Sequence, residues 1–123
     1  MIVFITGASS GFGMLTALAC AGRGHRVIAA MRDPGKQDVL LAKAAERGVQ
    51  HLIDVCKLDV TKEEEAVRAV ESVINQYGCI DVLVNNAGFA RGGMVEEVPL
   101  EDWRAQLETN FFAVVRLTQL VVP

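Results

Sequence analysis

Short apolar runs alternate along this chain with longer stretches in which apolar residues recur every three or four positions. Four runs have the length and composition of buried strands: MIVFI at 1–5, RVIAAM at 26–31, part of HLIDVCKLDV at 51–60, and IDVLV at 80–84. The first, second and fourth are apolar on both faces, as in a sheet that helices cover on both sides. We therefore predict right-handed βαβ crossovers and an α/β fold with a doubly wound, Rossmann-like parallel sheet of strand order 3-2-1-4.

Four stretches have helical spacing and recognisable ends. The first predicted helix has an apolar face and two closing glycines: Leu15, Leu18, Ala19, Gly22 and Gly24. The second begins at Pro34 and closes at 46–48. The third begins at a capping box formed by Thr61 and Glu64. Its apolar face and closing glycine are Val67, Val70, Ile74, Tyr77 and Gly78. The fourth follows Pro99 and runs to about Leu120.

Composition and charge narrow the class of protein. The 123 residues are 51% hydrophobic and 22% charged, which is typical of one folded domain. A net charge of −3 argues against nucleic acid or an anionic membrane as partner. No signal peptide or membrane span is predicted. Cys20, Cys56 and Cys79 lack metal-ligand spacing, so we expect reduced thiols, no metal site and a cytoplasmic location.

The stretch TGASSGFG, from Thr6 to Gly13, directly follows the first predicted strand. Glycine lets the backbone approach a ligand closely, and the following helix N-terminus offers unpaired N–H groups and partial positive charge. An ordinary strand-to-helix turn needs only one glycine, so Gly7, Gly11 and Gly13 together indicate an anion site. Their spacing differs from both Gly-x-Gly-x-x-Gly and the Walker loop.

Two further predicted strands end in polar residues. LDV at 58–60 closes the third strand, and NNAG at 85–88 follows the fourth. The carboxyl ends of strands line the ligand crevice of a doubly wound sheet. Asp59 is therefore placed to accept a hydrogen bond from an adenine amino group, or else simply begins the next turn. The amides of NNAG are suited to tying neighbouring loops together and contacting a ribose, or else form only a turn.

Taken together and in this order, TGASSGFG, LDV and NNAG resemble the classical short-chain dehydrogenase/reductase family, over Ile2 to Pro123. The resemblance implies that residues 1–123 form an NAD(P)-binding domain whose glycine loop holds the dinucleotide pyrophosphate. It also implies a parent protein that forms homo-oligomers. The cofactor-binding residues that it implies are Gly7, Ser9, Ser10, Gly11, Phe12, Gly13, Arg32, Asp59, Val60, Asn86, Ala87 and Gly88.

The end of the second strand bears on the choice of nicotinamide cofactor. An NAD site of this fold has a carboxylate there for the ribose 2′-hydroxyl. Here Met31 is followed by Arg32, whose guanidinium suits a 2′-phosphate. The NADP-preferring members of the family are similar in this respect, and Ser9 matches their second contact. We predict NADP rather than NAD; a solvated Arg32, or one paired with Asp33, is the alternative.

Asn110 is the polar exception in an apolar stripe of the last predicted helix, formed by Trp103, Leu107, Val114, Leu117 and Val121. Burying an unbonded amide costs about 2–7 kcal/mol, so we expect Asn110 to be buried with a specific partner, a backbone group being the simplest. The resemblance assigns Asn110 to the helix Asn of the catalytic tetrad, which helps to hold a water behind the active-site lysine.

The other tetrad residues of the family have no match in this sequence. In the family, the Ser lies at the end of a fifth strand and Tyr-x-x-x-Lys on the next helix. The only tyrosine here, Tyr77, is followed four residues later by Asp81 and lies on the predicted packing face. We do not expect it to be catalytic. The simplest expectation is a truncated chain that carries the cofactor half and lacks the C-terminal strands.

Three functions remain open. The first is an NADP-dependent oxidoreductase that transfers hydride between NADP(H) and an alcohol or ketone. The second is a non-enzymatic dinucleotide-binding module or inactive fragment. The third is an extended-family epimerase, whose usual Gly-x-x-Gly-x-x-Gly spacing disagrees with this loop. AAMRD and NFFAVVRLTQ are similar to members acting on hydroxysteroids, retinoids or other apolar ketones, so an apolar small-molecule substrate is expected by analogy.

Overall fold

The computed structural model describes all residues from 1 to 123. It contains one sheet of four parallel strands: β1 Ile2–Ile5, β2 Arg26–Met31, β3 Ile53–Lys57 and β4 Val82–Val84. Their order is β3-β2-β1-β4, as the sequence predicts. Ile5 pairs with Ala29 on one side and with Val84 on the other. The loops that leave the carboxyl ends of β1 and β4 therefore lie side by side.

Five α-helices connect and cover these strands: α1 Gly11–Gly22, α2 Gln37–Glu46, α3 Glu63–Tyr77, α4 Leu100–Leu107 and α5 Ala113–Val121. Short 3₁₀ turns occupy Pro34–Lys36 and Gln50–Leu52. The segment Glu108–Phe112 joins α4 to α5 as one wider π-helical turn. The long helix predicted after Pro99 is thus continuous, but its period changes in the middle.

The sheet is buried on both faces. Val3 and Ile5 pack into an apolar cluster with α1 and α2, whereas Phe4, between them in β1, packs with α3 and α5. All three side chains are at most 2% exposed. This alternation follows from the two-residue period of a strand and confirms that helices cover both faces.

In two helices, the face that packs on the sheet differs from the face that the sequence predicts. In α1 the buried residues are Gly13, Ala17, Leu18 and Ala21, whereas Leu15 is 52% exposed and Ala19 is also exposed. In α3 they are Ala66, Ala69, Val70 and Val73, whereas Ile74 is 40% exposed. Small residues allow the helices to lie close to the sheet. Spacing based on the large apolar residues alone therefore misplaces the contact face.

The predicted capping box at Thr61 and Glu64 is also wrong. The helix begins at Glu63 and its N-cap residue is Lys62, which makes no side-chain cap hydrogen bond. Thr61 instead donates from its N–H and its hydroxyl to Asp59 Oδ1, over 3.0 Å and 2.6 Å. The hydrogen bonds to Asp59 replace the helix cap that Thr61 was expected to form. Short polar side chains near helix ends often bond a local turn in this way.

Tyr77 belongs to a polar cluster at the amino-terminal edge of the sheet. Its hydroxyl donates to Asp54 of β3, and Arg26 of β2 lies over its ring at 5.6 Å from the centroid. Arg26 also pairs with Asp54 at 3.4 Å. The hydrogen bond to Asp54 is the main reason that the pKa of Tyr77 is raised; burial and the Asp54 charge add to it and Arg26 opposes it. Tyr77 thus lies at the opposite edge from the glycine loop.

Tyr77→Phe is expected to destabilise the chain by about 1 kcal/mol, a charge-assisted hydrogen bond discounted for solvent exposure. The pKa of Tyr77 is higher in the folded chain than in the unfolded chain. This contribution is therefore complete below the unfolded value and is lost as the pH rises through the folded one. Urea unfolding at pH 7 measures the effect. Equal additional losses when Tyr77→Phe is made in the wild-type and Asp54→Asn backgrounds would contradict the coupling.

Candidate functional site

A cavity of about 390 Å³ lies at the carboxyl edge of the sheet. It is lined by the loops that follow β1, β3 and β4, by the residue after β2, and by Thr109 of the π-helical turn. Six of the residues predicted to bind a cofactor lie in its wall: Gly7, Arg32, Asp59, Val60, Ala87 and Gly88. The structure therefore brings the three sequence motifs and Arg32 together around one space.

The glycine loop and the start of α1 form an open cradle. Gly7 and Gly11 have φ values of +65° and +56°, a region that side chains with a Cβ rarely adopt. A Cβ at Gly11 would meet no atom within 4 Å, so its backbone faces open space. Ser10 precedes α1 without a side-chain cap hydrogen bond. The first-turn N–H groups of α1 therefore have no side-chain cap competing with an anion.

The other predicted loop residues differ in where they lie. Ser9 is half-buried, whereas Ser10 is exposed and Phe12 is 82% exposed. Gly13 is buried, and a Cβ there would collide with the Gly7 carbonyl oxygen and lie 2.5 Å from Asn86 Nδ2. Gly13 thus contributes through close packing of α1 beneath the loop.

Hydrogen bonds of Thr6 and Asn86 join the loop that follows β1 to the loop that follows β4. The Thr6 hydroxyl accepts from the N–H groups of Asn86 and Ala87, over 3.0 Å and 2.9 Å. Asn86 Nδ2 donates to the carbonyl oxygens of Thr6 and Gly7, both at 3.1 Å. This confirms the expectation that an amide of NNAG ties loops together. Thr6, which is 2% exposed, is not among the site residues predicted from the sequence. A hydroxyl side chain directly after an apolar strand could have indicated it.

Arg32 lines the cavity without a carboxylate partner. It is exposed, and the four ion pairs of the chain all involve other cations: Arg26, Lys57, Arg91 and Arg116. Asp33, the expected competitor, instead accepts the Gly35 N–H at 2.9 Å and caps the 3₁₀ turn. The guanidinium donors of Arg32 therefore remain available to an anionic ligand.

Asp59 is held as a carboxylate in the same wall. Burial on its own raises the pKa of Asp59, but the hydrogen bonds from Thr61 and then the charges of Lys62 and Arg32 outweigh it, so the net pKa is lowered. Its own N–H donates to Glu65 Oε2 at 2.6 Å. At neutral pH its side chain is therefore an acceptor only, as an adenine amino group requires.

Asn110 lies in the π-helical turn and is exposed, so its predicted burial is wrong. The wider turn changes the helical period, and the stripe inferred from a regular helix does not continue: Trp103 and Leu107 are 40% and 52% exposed. The expectation of a specific partner is confirmed, and that partner is the backbone of Phe89. Asn110 Oδ1 accepts the Phe89 N–H at 3.1 Å, and Nδ2 donates to the Phe89 carbonyl at 2.7 Å.

Asn110 also explains why the last residue of NNAG, Gly88, has no side chain. A Cβ at Gly88 would lie 2.9 Å from Asn110 Oδ1, so a side chain at this position would push the amide away. Gly88 and Ala87 both line the cavity. The helix amide thus fixes the course of the loop at Phe89, which also lines the cavity.

The chain matches the family model described as short chain dehydrogenase over residues 1–123. It is 45% identical over 122 residues to the uncharacterized oxidoreductase YusZ of Bacillus subtilis, covering 99% of this chain and 43% of that protein. It is 42% identical over 123 residues to the 3-oxoacyl-[acyl-carrier-protein] reductase FabG of Thermotoga maritima, covering 99% and 49%.

The fold is similar to that of a variant actinorhodin polyketide ketoreductase crystallised with NADPH, with a TM-score of 0.90 and 36% identity. That comparison covers 98% of this chain and 46% of the ketoreductase. The chain belongs to the short-chain dehydrogenase family and has its Rossmann-like sheet. It spans about half the length of the relatives that it matches.

No group of three or more His, Cys, Asp or Glu side chains is arranged to hold a metal ion. No helix combines the length and apolar character needed to cross a bilayer.

Proposed function

We propose that this chain supplies the NADP(H)-binding half of a short-chain dehydrogenase that transfers hydride between NADP(H) and an alcohol or ketone. The observation that carries the proposal is that an unpaired Arg32 and Gly7 of the glycine loop line one cavity. NADP differs from NAD by a ribose 2′-phosphate, and a guanidinium without a carboxylate partner favours that group.

Residues that line the cavity, together with the adjoining glycine loop and the start of α1, fit the parts of a dinucleotide. The open backbone at Gly11 and the uncapped start of α1 suit the pyrophosphate. Asp59 is an ionised acceptor for the adenine amino group, and Arg32 is the cation for the 2′-phosphate. When bound, the nicotinamide supplies or accepts the hydride. In this proposal the chain's residues bind and orient the cofactor, and Asn110 holds the adjoining loop.

NADPH fluorescence provides the test of this proposal. Titration of the chain into NADPH is expected to give a saturable change that 2′,5′-ADP reverses and that 5′-ADP reverses only at much higher concentration. The comparison isolates the 2′-phosphate because the two competitors differ only there. Equal competition by the two nucleotides would contradict the assigned function of Arg32, and a lack of saturation would contradict cofactor binding.

A second candidate function is a dinucleotide-binding module without catalysis. Within residues 1–123 the one tyrosine, Tyr77, lies at the amino-terminal edge of the sheet, bonds Asp54 and does not line the cavity. The downstream coding sequence discriminates the two. A Ser and a Tyr-x-x-x-Lys encoded there favour the enzyme, with an apolar alcohol or ketone as its proposed substrate. Their absence favours the module.

We also propose that this chain self-associates through the helices after Pro99, and that a homo-oligomeric parent protein uses the same surface. Five large apolar residues there are between 40% and 55% exposed: Trp103, Leu107, Phe111, Phe112 and Val115. A patch of this kind is seldom left bare. Size-exclusion chromatography is expected to show an oligomer of the 123-residue chain, reduced by Phe111→Asp together with Val115→Asp. A monomer at high micromolar concentration would contradict the proposal.

A further inference from the structure

Two side-chain amides hold the segment Phe89–Arg91, which follows NNAG and has no regular secondary structure. Asn110 bonds both backbone groups of Phe89. Gln106 does the same to Arg91: its Oε1 accepts the Arg91 N–H at 3.1 Å, and its Nε2 donates to the Arg91 carbonyl at 3.4 Å. Four hydrogen bonds therefore link this segment to the helical stretch from α4 into the π-helical turn.

The spacing of the two amides explains why they reach alternate residues. Residues four apart on a helix are separated by about 6 Å along its axis. Residues two apart in an extended chain are separated by about 6.6 Å. Gln106 and Asn110 thus match Arg91 and Phe89 in reverse order. Each amide satisfies the N–H and the C=O of one residue, as a paired residue does in an antiparallel sheet.

Arg91 is further restrained through its side chain. The guanidinium is ion-paired with Asp102, one helical turn before Gln106, and lies 5.6 Å from the centroid of the Phe89 ring. Gln106 Nε2 also donates to the Asp102 carbonyl at 3.3 Å. Phe89 and Arg91 both line the cavity that contains Arg32. The position of Gln106 therefore affects one wall of the candidate cofactor site without lining it.

We propose that Gln106 is a positioning residue that fixes Arg91, and with it the wall of the cavity that follows β4, for dinucleotide binding. This inference rests on the proposed function. Gln106 and Asn110 then act together on the segment Phe89–Arg91. Asn110 fixes the backbone at its start and Gln106 fixes the backbone at its end. Loss of Gln106 frees the backbone of Arg91, while the ion pair between Arg91 and Asp102 and the two bonds between Asn110 and Phe89 stay intact.

Gln106→Met tests the proposal because it keeps the approximate length of the side chain and removes the two hydrogen bonds to Arg91, together with the one to the Asp102 carbonyl. The matched control is Gln119→Met, at an exposed position of α5 whose side chain makes no hydrogen bond. Amide hydrogen exchange by NMR is measured on the ligand-free chains, and NADPH affinity by fluorescence. Gln106→Met is expected to speed exchange at Arg91 about fivefold, to spare Phe89, and to weaken NADPH binding about fivefold.

Gln106→Glu keeps an acceptor for the Arg91 N–H and replaces the donor by a second carboxylate oxygen, which faces the Arg91 and Asp102 carbonyls. Arg91 exchange is therefore expected to fall between that of the wild-type chain and that of Gln106→Met. Unchanged Arg91 exchange in Gln106→Met would overturn the proposal, as would faster exchange with unchanged NADPH affinity. If the wild-type chain binds no NADPH, the proposed function fails and the assigned role in binding fails with it. The exchange rates then still report separately whether Gln106 holds the segment.

Discussion

Gly13→Val is expected to abolish detectable NADPH binding. The new side chain would collide with the Gly7 carbonyl and with the Asn86 amide, which together join the glycine loop to NNAG. Relief of this collision requires α1 or the loop to move, and either displacement changes the cradle. Overpacking of this kind costs about 1–3 kcal/mol. The variant is therefore expected to be less stable than wild type but to keep a folded far-UV circular dichroism spectrum.

Gly22→Val is the matched control for that experiment. Gly22 ends the same helix, and a Cβ there meets no atom within 4 Å. Its φ is also not in the left-handed region. The control is expected to bind NADPH with wild-type affinity, as measured by fluorescence titration at a temperature well below both unfolding midpoints. Retained binding by a folded Gly13→Val would contradict the role given to close packing beneath the loop.

Arg32→Ala is expected to weaken NADPH binding by about 10- to 100-fold and to change NADH binding by no more than about twofold. The reason is the loss of a charge-assisted hydrogen bond to the 2′-phosphate, about 1.5–3 kcal/mol. Because Arg32 makes no ion pair within the chain, its removal leaves no buried partner charge. The stability of the unliganded chain is therefore expected to stay within about 0.5 kcal/mol of wild type.

The control for Arg32→Ala is Arg23→Ala. Arg23 is exposed, lies just after α1 and also makes no ion pair, so the two variants remove the same charge from different places. Arg23→Ala is expected to leave both affinities unchanged. An equal loss of NADPH and NADH binding in Arg32→Ala would mean that Arg32 acts on the structure of the site rather than on the 2′-phosphate.

Local patterns predict the sheet because each strand carries its own signal. The apolar runs and intervening helices identify four strands, and their order is that of one half of a Rossmann-like, doubly wound sheet. The glycine loop and Arg32 are likewise read from neighbouring residues. All of these features depend on backbone propensity or on chemistry within a few positions of the chain.

Several features that depend on tertiary contacts are not predicted correctly from the sequence. The sheet-facing sides of α1 and α3 are set by glycine and alanine, which the spacing of large apolar residues does not register. The predicted burial of Asn110 is wrong because Asn110 lies in a π-helical turn, which changes the helical period at that point. Thr6 and Gln106 were missed because their partners, Asn86 and Arg91, are 80 and 15 positions away.

The location of the cofactor site is the central claim, and amide chemical shifts measured during an NADPH titration test it most directly. The largest shifts are expected at the carboxyl edge of the sheet, at Gly7, Gly11, Arg32 and Gly88. Tyr77, at the opposite edge, is expected to shift little. Saturable shifts in this distribution would support binding in the 390 Å³ cavity. Shifts centred on Tyr77, or none at millimolar NADPH, would contradict the account.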